Sequence, residues 1–162
     1  MSTLEYSWNN PADAADAAAF AGRIIAQAPE YISHGEIQTG LSDDGKNWVP
    51  DLAERYAQDF ADLRDRDLLV GRASDGRVVA FLIIAWEESP RRKFAVIEDM
   101  AVDPELRSQG IGAQLLALAE ERIGARGIEW VFLESGLGNE HAHRFFERAG
   151  FHMTSHVFAR QL

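Results

Sequence analysis

The spacing of apolar positions divides the chain into a helical opening, a run of strands, and a closing alternation of helix and strand. Ala12–Ala28 is rich in alanine and predicts a helix, with Asn9 or Asn10 as its cap and Pro11 in the first turn. Residues 31–48 carry Gly35, Gly40, Asp43, Asp44 and Gly45 and read as an irregular connection. Pro50–Arg66 predicts a second helix, because Leu52, Tyr56, Phe60 and Leu63 fall on one face. The period then shortens. Leu68–Arg72 reads as a strand, Ser74-Asp75-Gly76-Arg77 as a hairpin turn, and Val78–Trp86 as a long apolar strand. Pro90 to Lys93 interrupt the pattern, and Phe94–Val102 is a further strand.

Helical and extended periods alternate from there. Gly110–Arg126 predicts a helix with Ile111, Leu115, Leu118, Ala119 and Ile123 inward, closed by Gly127. Ile128–Glu134 is a strand, Asn139–Ala149 a helix closed by Gly150, and His152–Gln161 a last strand. Residues 94–134 form a strand-helix-strand unit, whose two strands should be parallel. Residues 1–67 are expected to add a strand and two helices. The expected fold is mixed α/β: one central mixed sheet of about six strands, with about four helices distributed over both faces.

A length of 162 residues suits one domain with one core. Residues 1–67 and residues 68–162 are expected to be two parts of that one domain. No apolar run approaches the roughly 18 residues of a membrane span, and the N-terminus lacks the pattern of a signal peptide. The expectation is a cytoplasmic protein without membrane partners. The sequence contains no cysteine, which removes disulfides, thiolate nucleophiles and cysteine-bound zinc. His141 and His143 are two apart on a helix and point in different directions, so no metal is assigned. The net charge of −10 repels a phosphate backbone, which argues against nucleic acid as a partner; it reads as a solubilising surface or as a field that draws in a cationic substrate.

The segment Val102-Asp103-Pro104-Glu105-Leu106-Arg107-Ser108-Gln109-Gly110-Ile111-Gly112 carries the clearest chemistry. A strand ends, Pro104 blocks its continuation, and Gly110 and Gly112 open a helix. The first amides of a helix have no internal partner and sit at the positive end of its dipole. Glycines let an anion approach that backbone, and Arg107 adds a guanidinium fork. Neither the Walker loop nor the dinucleotide fingerprint fits, since no Lys-Ser/Thr follows Gly110 and Leu115 stands where a third glycine is needed.

Arg107-x-x-Gly110-x-Gly112 after Val102-Asp103-Pro104 resembles the signature of the GNAT N-acetyltransferase superfamily. Ile97–Val102 is similar to that family's central strand. Asn139–Phe151, with its aromatic pair and closing Gly-Phe, is similar to its later helix. The resemblance covers about residues 68–162. It implies acetyl-CoA as co-substrate, an amine as acceptor, and direct attack of the amine on the thioester. Met100, Ala101 and Val102 would hydrogen-bond the pantetheine arm. Backbone amides of Ser108, Gln109, Gly110, Ile111, Gly112 and Ala113 would face the pyrophosphate beside Arg107, and Asn139 would contact the donor. Phe146 lies at a donor-side position where family members often place a tyrosine that protonates the thiolate, which phenylalanine cannot do. His141, His143, Ser135 and Tyr56 are possible substitutes. A homodimer would be compatible with exposed edge strands.

Glu98 is the candidate base. Strand alternation would put Glu98, Met100 and Val102 on one face and Ile97, Asp99 and Ala101 on the other. Glu-Asp at this place resembles polyamine acetyltransferases, which implies that Asp99 helps bind the cation. Trp48 is a candidate wall of the acceptor pocket, while Trp86 and Trp130 are expected in the core. The leading function is acetylation of a small cationic amine. Acetylation of a protein or peptide, and acyl-CoA sensing without turnover, are the alternatives.

Overall fold

A computed structural model describes residues 3–162. Its strands, in chain order, are β1 (Glu5–Trp8), β2 (Arg66–Arg72), β3 (Val78–Ser89), β4 (Arg92–Val102) and β5 (Val131–Leu133). Its α-helices are α1 (Ala14–Ile25), α2 (His34–Gln38), α3 (Leu52–Ala61), α4 (Ile111–Ala125) and α5 (Glu140–Arg148). The strands form one sheet in the order β1-β2-β3-β4-β5. The first four are antiparallel neighbours, and β5 runs parallel to β4. The mixed α/β expectation holds, with five strands where about six were expected.

β3 is buried from Val78 to Ala85 because helices cover both of its faces. On one face, α1 and α3 bring Phe20, Ile25, Leu52, Tyr56 and Phe60 onto Val70, Phe81, Ile83 and Ala101. On the other, α4 brings Ile111, Leu115, Leu116, Ala119 and Ile123 onto Leu69, Leu82, Ile84 and Ile97. Phe145 and Phe146 of α5 pack against the edge of this second layer.

The first helix starts later than its alanine run suggests. Asn10 accepts a hydrogen bond from the Ala12 amide at 3.1 Å, and Pro11–Asp13 form a 3₁₀ turn before α1. The acid of this turn is fixed in place. Asp13 is buried and receives Arg72 at 2.8 Å and the Ser7 hydroxyl at 2.5 Å, which ties the start of α1 to β1 and β2.

Two expectations fail outside the central sheet. His152–Gln161 is not a strand: all of these residues are exposed, and none pairs with the outer edge of β5. The physical reason lies in their pattern. Met153, Ser155 and Val157 on one side and His152, Thr154, His156 and Phe158 on the other offer no consistently apolar face to bury. Trp130 is not core either. It is 48% exposed and stacks on Phe132, which itself faces outward. Trp86 is half-buried under the guanidinium of Arg126, whose carbon lies 3.7 Å from the ring centre.

The helix pair α1–α3 depends on one close approach. A Cβ built on Gly22 would meet the Ala53 Cβ at 2.6 Å and its Cα at 2.7 Å. Gly22→Ala should therefore force the helices apart and cost about 1–3 kcal/mol of stability, read from the shift in urea midpoint at unchanged m-value. An unshifted midpoint would show that the pair can relax at no cost.

Candidate active site

The parallel ladder between β4 and β5 is short. It runs from Ala95↔Val131 to Ile97↔Leu133 and stops. From Asp99 to Val102, β4 is paired with β3 alone, so its other edge carries free backbone groups. A cleft of about 570 Å³ opens along that edge. Glu98 to Val102 form one wall and Leu133 to Gly136 another.

A β-bulge lies at the mouth of this gap. Ile83 pairs with Asp99 and Ile84 with Ile97, so Glu98 is an extra residue on β4. The bulge overturns the expected alternation. Ile97 belongs to the α4 layer together with Met100 and Val102, whereas Ala101 lies in the α1/α3 layer. Asp99 points to the α3 side, where the Tyr56 hydroxyl donates to its Oδ2 at 2.9 Å. Glu98 also reaches that side, with Oε2 3.5 Å from Arg66, whose guanidinium bonds the Asp59 and Asp62 carbonyls. The two acids that strict alternation would separate are thereby brought together.

At its C-terminal end β4 runs through a tight turn into α4. Pro104–Leu106 form a 3₁₀ turn in which Asp103 accepts from the Glu105 amide at 3.0 Å. Ser108 (φ 64°) and Gly110 (φ 78°) both take the left-handed conformation, which turns the chain sharply into α4. Gly110 is the N-cap and has no side chain to occupy the first-turn amides. A Cβ on Gly110 would meet nothing within 4 Å, while one on Gly112 would meet the Phe145 ring at 3.0 Å. Gly112 thus lets α5 close against α4, and the open amides at the turn suit a pyrophosphate.

Nearly all the candidate residues line this cleft: Glu98, Asp99, Met100, Ala101, Val102, Arg107, Ser108, Gly110, Ile111, Gly112, Ala113, Asn139, Phe146 and Trp48. Gln109 does not. Asn139 caps α5, with Oδ1 3.4 Å from the Ala142 amide. The Trp48 indole donates to the Ala28 carbonyl at 3.2 Å, so its ring serves as a fixed wall.

The far end was missed by sequence reasoning. Tyr31 and Glu36 come from the segment expected to be irregular, Glu30 from the residue before it, and Glu134 from the residue after β5. One signal was available. Ser33-x-x-Glu36 is a capping box, and Glu36 accepts from the Ser33 amide at 2.7 Å and its hydroxyl at 2.6 Å, opening α2. Glu134 ties this helix to β5, contacting His34 Nε2 at 3.0 Å and the Ser33 hydroxyl at 3.3 Å.

Five carboxylates therefore line the end opposite Arg107. Burial pushes Asp99 from 3.8 up to about 7; the Tyr56 hydrogen bond pulls it down and Glu36 adds to the rise. Tyr56 is raised well above the ordinary phenol value by burial and by Asp99. Glu98 is raised by partial burial, which Arg66 opposes, and keeps 40% of its side chain exposed.

A family model for the acetyltransferase (GNAT) family matches residues 36–151. The chain belongs to the GNAT family. The match begins well before the motif-bearing half and takes in α2 and α3. This GNAT chain is 38% identical over 66 residues to an aminoalkylphosphonate N-acetyltransferase of Salmonella typhimurium, covering 41% of the chain and 43% of that relative. It is 30% identical over 139 residues to a mycothiol acetyltransferase of Clavibacter michiganensis, covering 86% of the chain and 39% of the relative. The chain thus spans about two fifths of the length of these curated relatives. An aminoglycoside N-acetyltransferase solved in complex with CoA superposes with a TM-score of 0.69 at 15% identity, over 100% of this chain and 96% of that one.

The raised Asp99 makes stability depend on pH. Between about pH 4 and 7 the native carboxyl holds a proton that the unfolded chain releases, so stability falls as pH rises through that window. The loss is at most about 4 kcal/mol. Urea unfolding at pH 5 and pH 8 should show the fall, and Asp99→Asn should remove most of it. A variant that loses stability as steeply as the parent would exclude Asp99 as the titrating group.

Proposed function

We propose that this protein transfers the acetyl group of acetyl-CoA to the primary amine of a small cationic acceptor. The observation that carries the reading is the two-ended cleft. Free helix amides and Arg107 stand at one end, and Glu30, Glu36, Glu98, Asp99 and Glu134 gather at the other. The ends are joined by the unpaired edge of β4. The donor's pyrophosphate rests on the turn from Ser108 to Ala113, and its pantetheine amides pair with the backbone of Met100 to Val102 as an added strand would. Asn139 and Phe146 close over the arm.

In this reading Asp99 faces the incoming ammonium. A half-buried carboxylate with a pKa near 7 gains its missing counter-ion when a cation arrives, which favours the ionised form. Glu98, still in contact with solvent, then takes the amine's proton and releases the lone pair for attack. The oxyanion of the tetrahedral intermediate would be stabilised by a backbone amide of β4, with that of Met100 as the candidate. Trp48 and Tyr31 provide the apolar walls around the acceptor.

Thiol release from acetyl-CoA with a panel of diamines, amino sugars and amino acids tests this function. Small cationic amines should be turned over, and acceptors bearing a carboxylate near the amine should be poor. Glu98→Gln should lower kcat by about tenfold or more and displace the acidic limb of the pH profile, whereas Asp99→Asn should chiefly raise the KM for the amine. Tight acetyl-CoA binding with no thiol release from any amine or peptide would leave a donor-binding protein without turnover.

A further inference from the structure

Phe146 leaves the departing sulfur without the donor that a phenol at that place would supply. Among the described residues, the candidates nearest the cleft are largely committed elsewhere. The Tyr56 hydroxyl donates to Asp99 at 2.9 Å. His143 Nε2 lies 2.9 Å from the Gly136 carbonyl, which it can meet only as donor, and the ring does not line the cleft. His141 lines the cleft but stands exposed on the first turn of α5.

Ser135 differs from all of these. Its hydroxyl oxygen is buried and has no hydrogen-bond partner among the described residues, and the residue itself lines the cleft. Buried hydroxyls are nearly always bonded, so an orphan on a residue that lines a ligand cleft points to a group brought by the ligand. Its place is specific. Ser135 lies two residues beyond Leu133, the last residue of β5 paired with β4. Before it, Glu134 is clasped by Ser33 and His34 on the acceptor side. After it, Gly136 packs against the carbonyls of Glu30 and Ile32. Ser135 thus stands where the donor gap meets the acceptor wall, across from the bulge at Glu98. A thioester reaching an amine from the donor end has its sulfur at this junction.

We infer that the Ser135 hydroxyl donates a hydrogen bond to the sulfur of the acyl donor and to the thiolate that leaves it. This inference rests on the acetyltransferase reading above. The amine nitrogen forms its bond to the carbonyl carbon, the carbon–sulfur bond breaks, and its electron pair stays on sulfur. Glu98 has taken one proton from the ammonium before attack, and the second leaves the nitrogen to solvent as the amide forms. An alkyl hydroxyl is too weak an acid to surrender its proton to a thiolate, so Ser135 keeps its proton and stabilises the charge by donation. Solvent then protonates the thiolate.

The test compares CoA with desulfo-CoA by calorimetry, in the wild type and in Ser135→Ala, and so needs no acceptor. The wild type should prefer CoA. The variant should lose about three- to tenfold of that preference while binding desulfo-CoA as before. Its ligand-free Tm should be equal or higher, because an unpaired buried hydroxyl has been removed. With an amine present, kcat should fall about tenfold at unchanged KM for acetyl-CoA. Ser135→Cys, which keeps a weak donor and similar shape, should fall between the two and serves if the alanine variant does not fold. An undiminished preference in both variants, or a lowered Tm with that preference intact, would overturn the assignment. A wild type that binds neither ligand would defeat the acetyl-CoA reading itself.

Discussion

One-sided pairing of β4 is the constraint from which the site follows. A central strand normally satisfies its backbone on both edges, and this one does so only as far as Ile97. Beyond that point β5 has turned away, and a row of amides and carbonyls faces a cleft instead of a neighbouring strand. The bulge at Glu98 occurs at the same place. It shifts the phase of the strand by one residue, so that Met100 and Val102 rejoin the α4 layer and Asp99 meets Tyr56 under α3. Without the extra residue, either the acids or the apolar side chains would face the wrong layer.

The two ends of the cleft solve opposite electrostatic problems. On the proposed function, a protein of net charge −10 holds an anion with main-chain amides and Arg107 at the start of α4. At the other end carboxylates crowd together, and crowding combined with burial lifts Asp99 to about 7. A cationic acceptor, as proposed, would offset that cost. Arg66 offsets part of the strain at Glu98 without sealing it from water.

The turn from β4 into α4 was legible in the sequence because backbone conformation writes its requirements as residue types. Gly110 marks a left-handed turn, Gly112 a close approach by Phe145, and Pro104 the end of a strand. The sheet and its parallel unit were legible from period alone. The acceptor half was not, because Glu30, Tyr31, Glu36 and Glu134 converge from separate segments and none carries a local pattern beyond the capping box of Ser33 and Glu36. The phase shift at Glu98 was equally silent, since a bulge is a property of register between two strands. The last strand was misread because β-forming residues were present without an alternating face to bury.

Gly136 and Glu134 give this arrangement a further meaning. The stretch after β5 is wedged against the carbonyls of Glu30 and Ile32, and Glu134 clasps the turn that opens α2. On the proposed function the donor end is built from main chain, whereas the acceptor end is built from side chains hung on a frame held by this wedge and clasp. The two halves would then be open to change to different degrees. Replacing Tyr31, Glu36 or Trp48 would alter which amine fits without disturbing the grip on the acyl donor. Replacing Gly136 would dislodge the frame and alter both. Substrate choice would then drift residue by residue, provided the glycine that seats the acceptor wall stays in place.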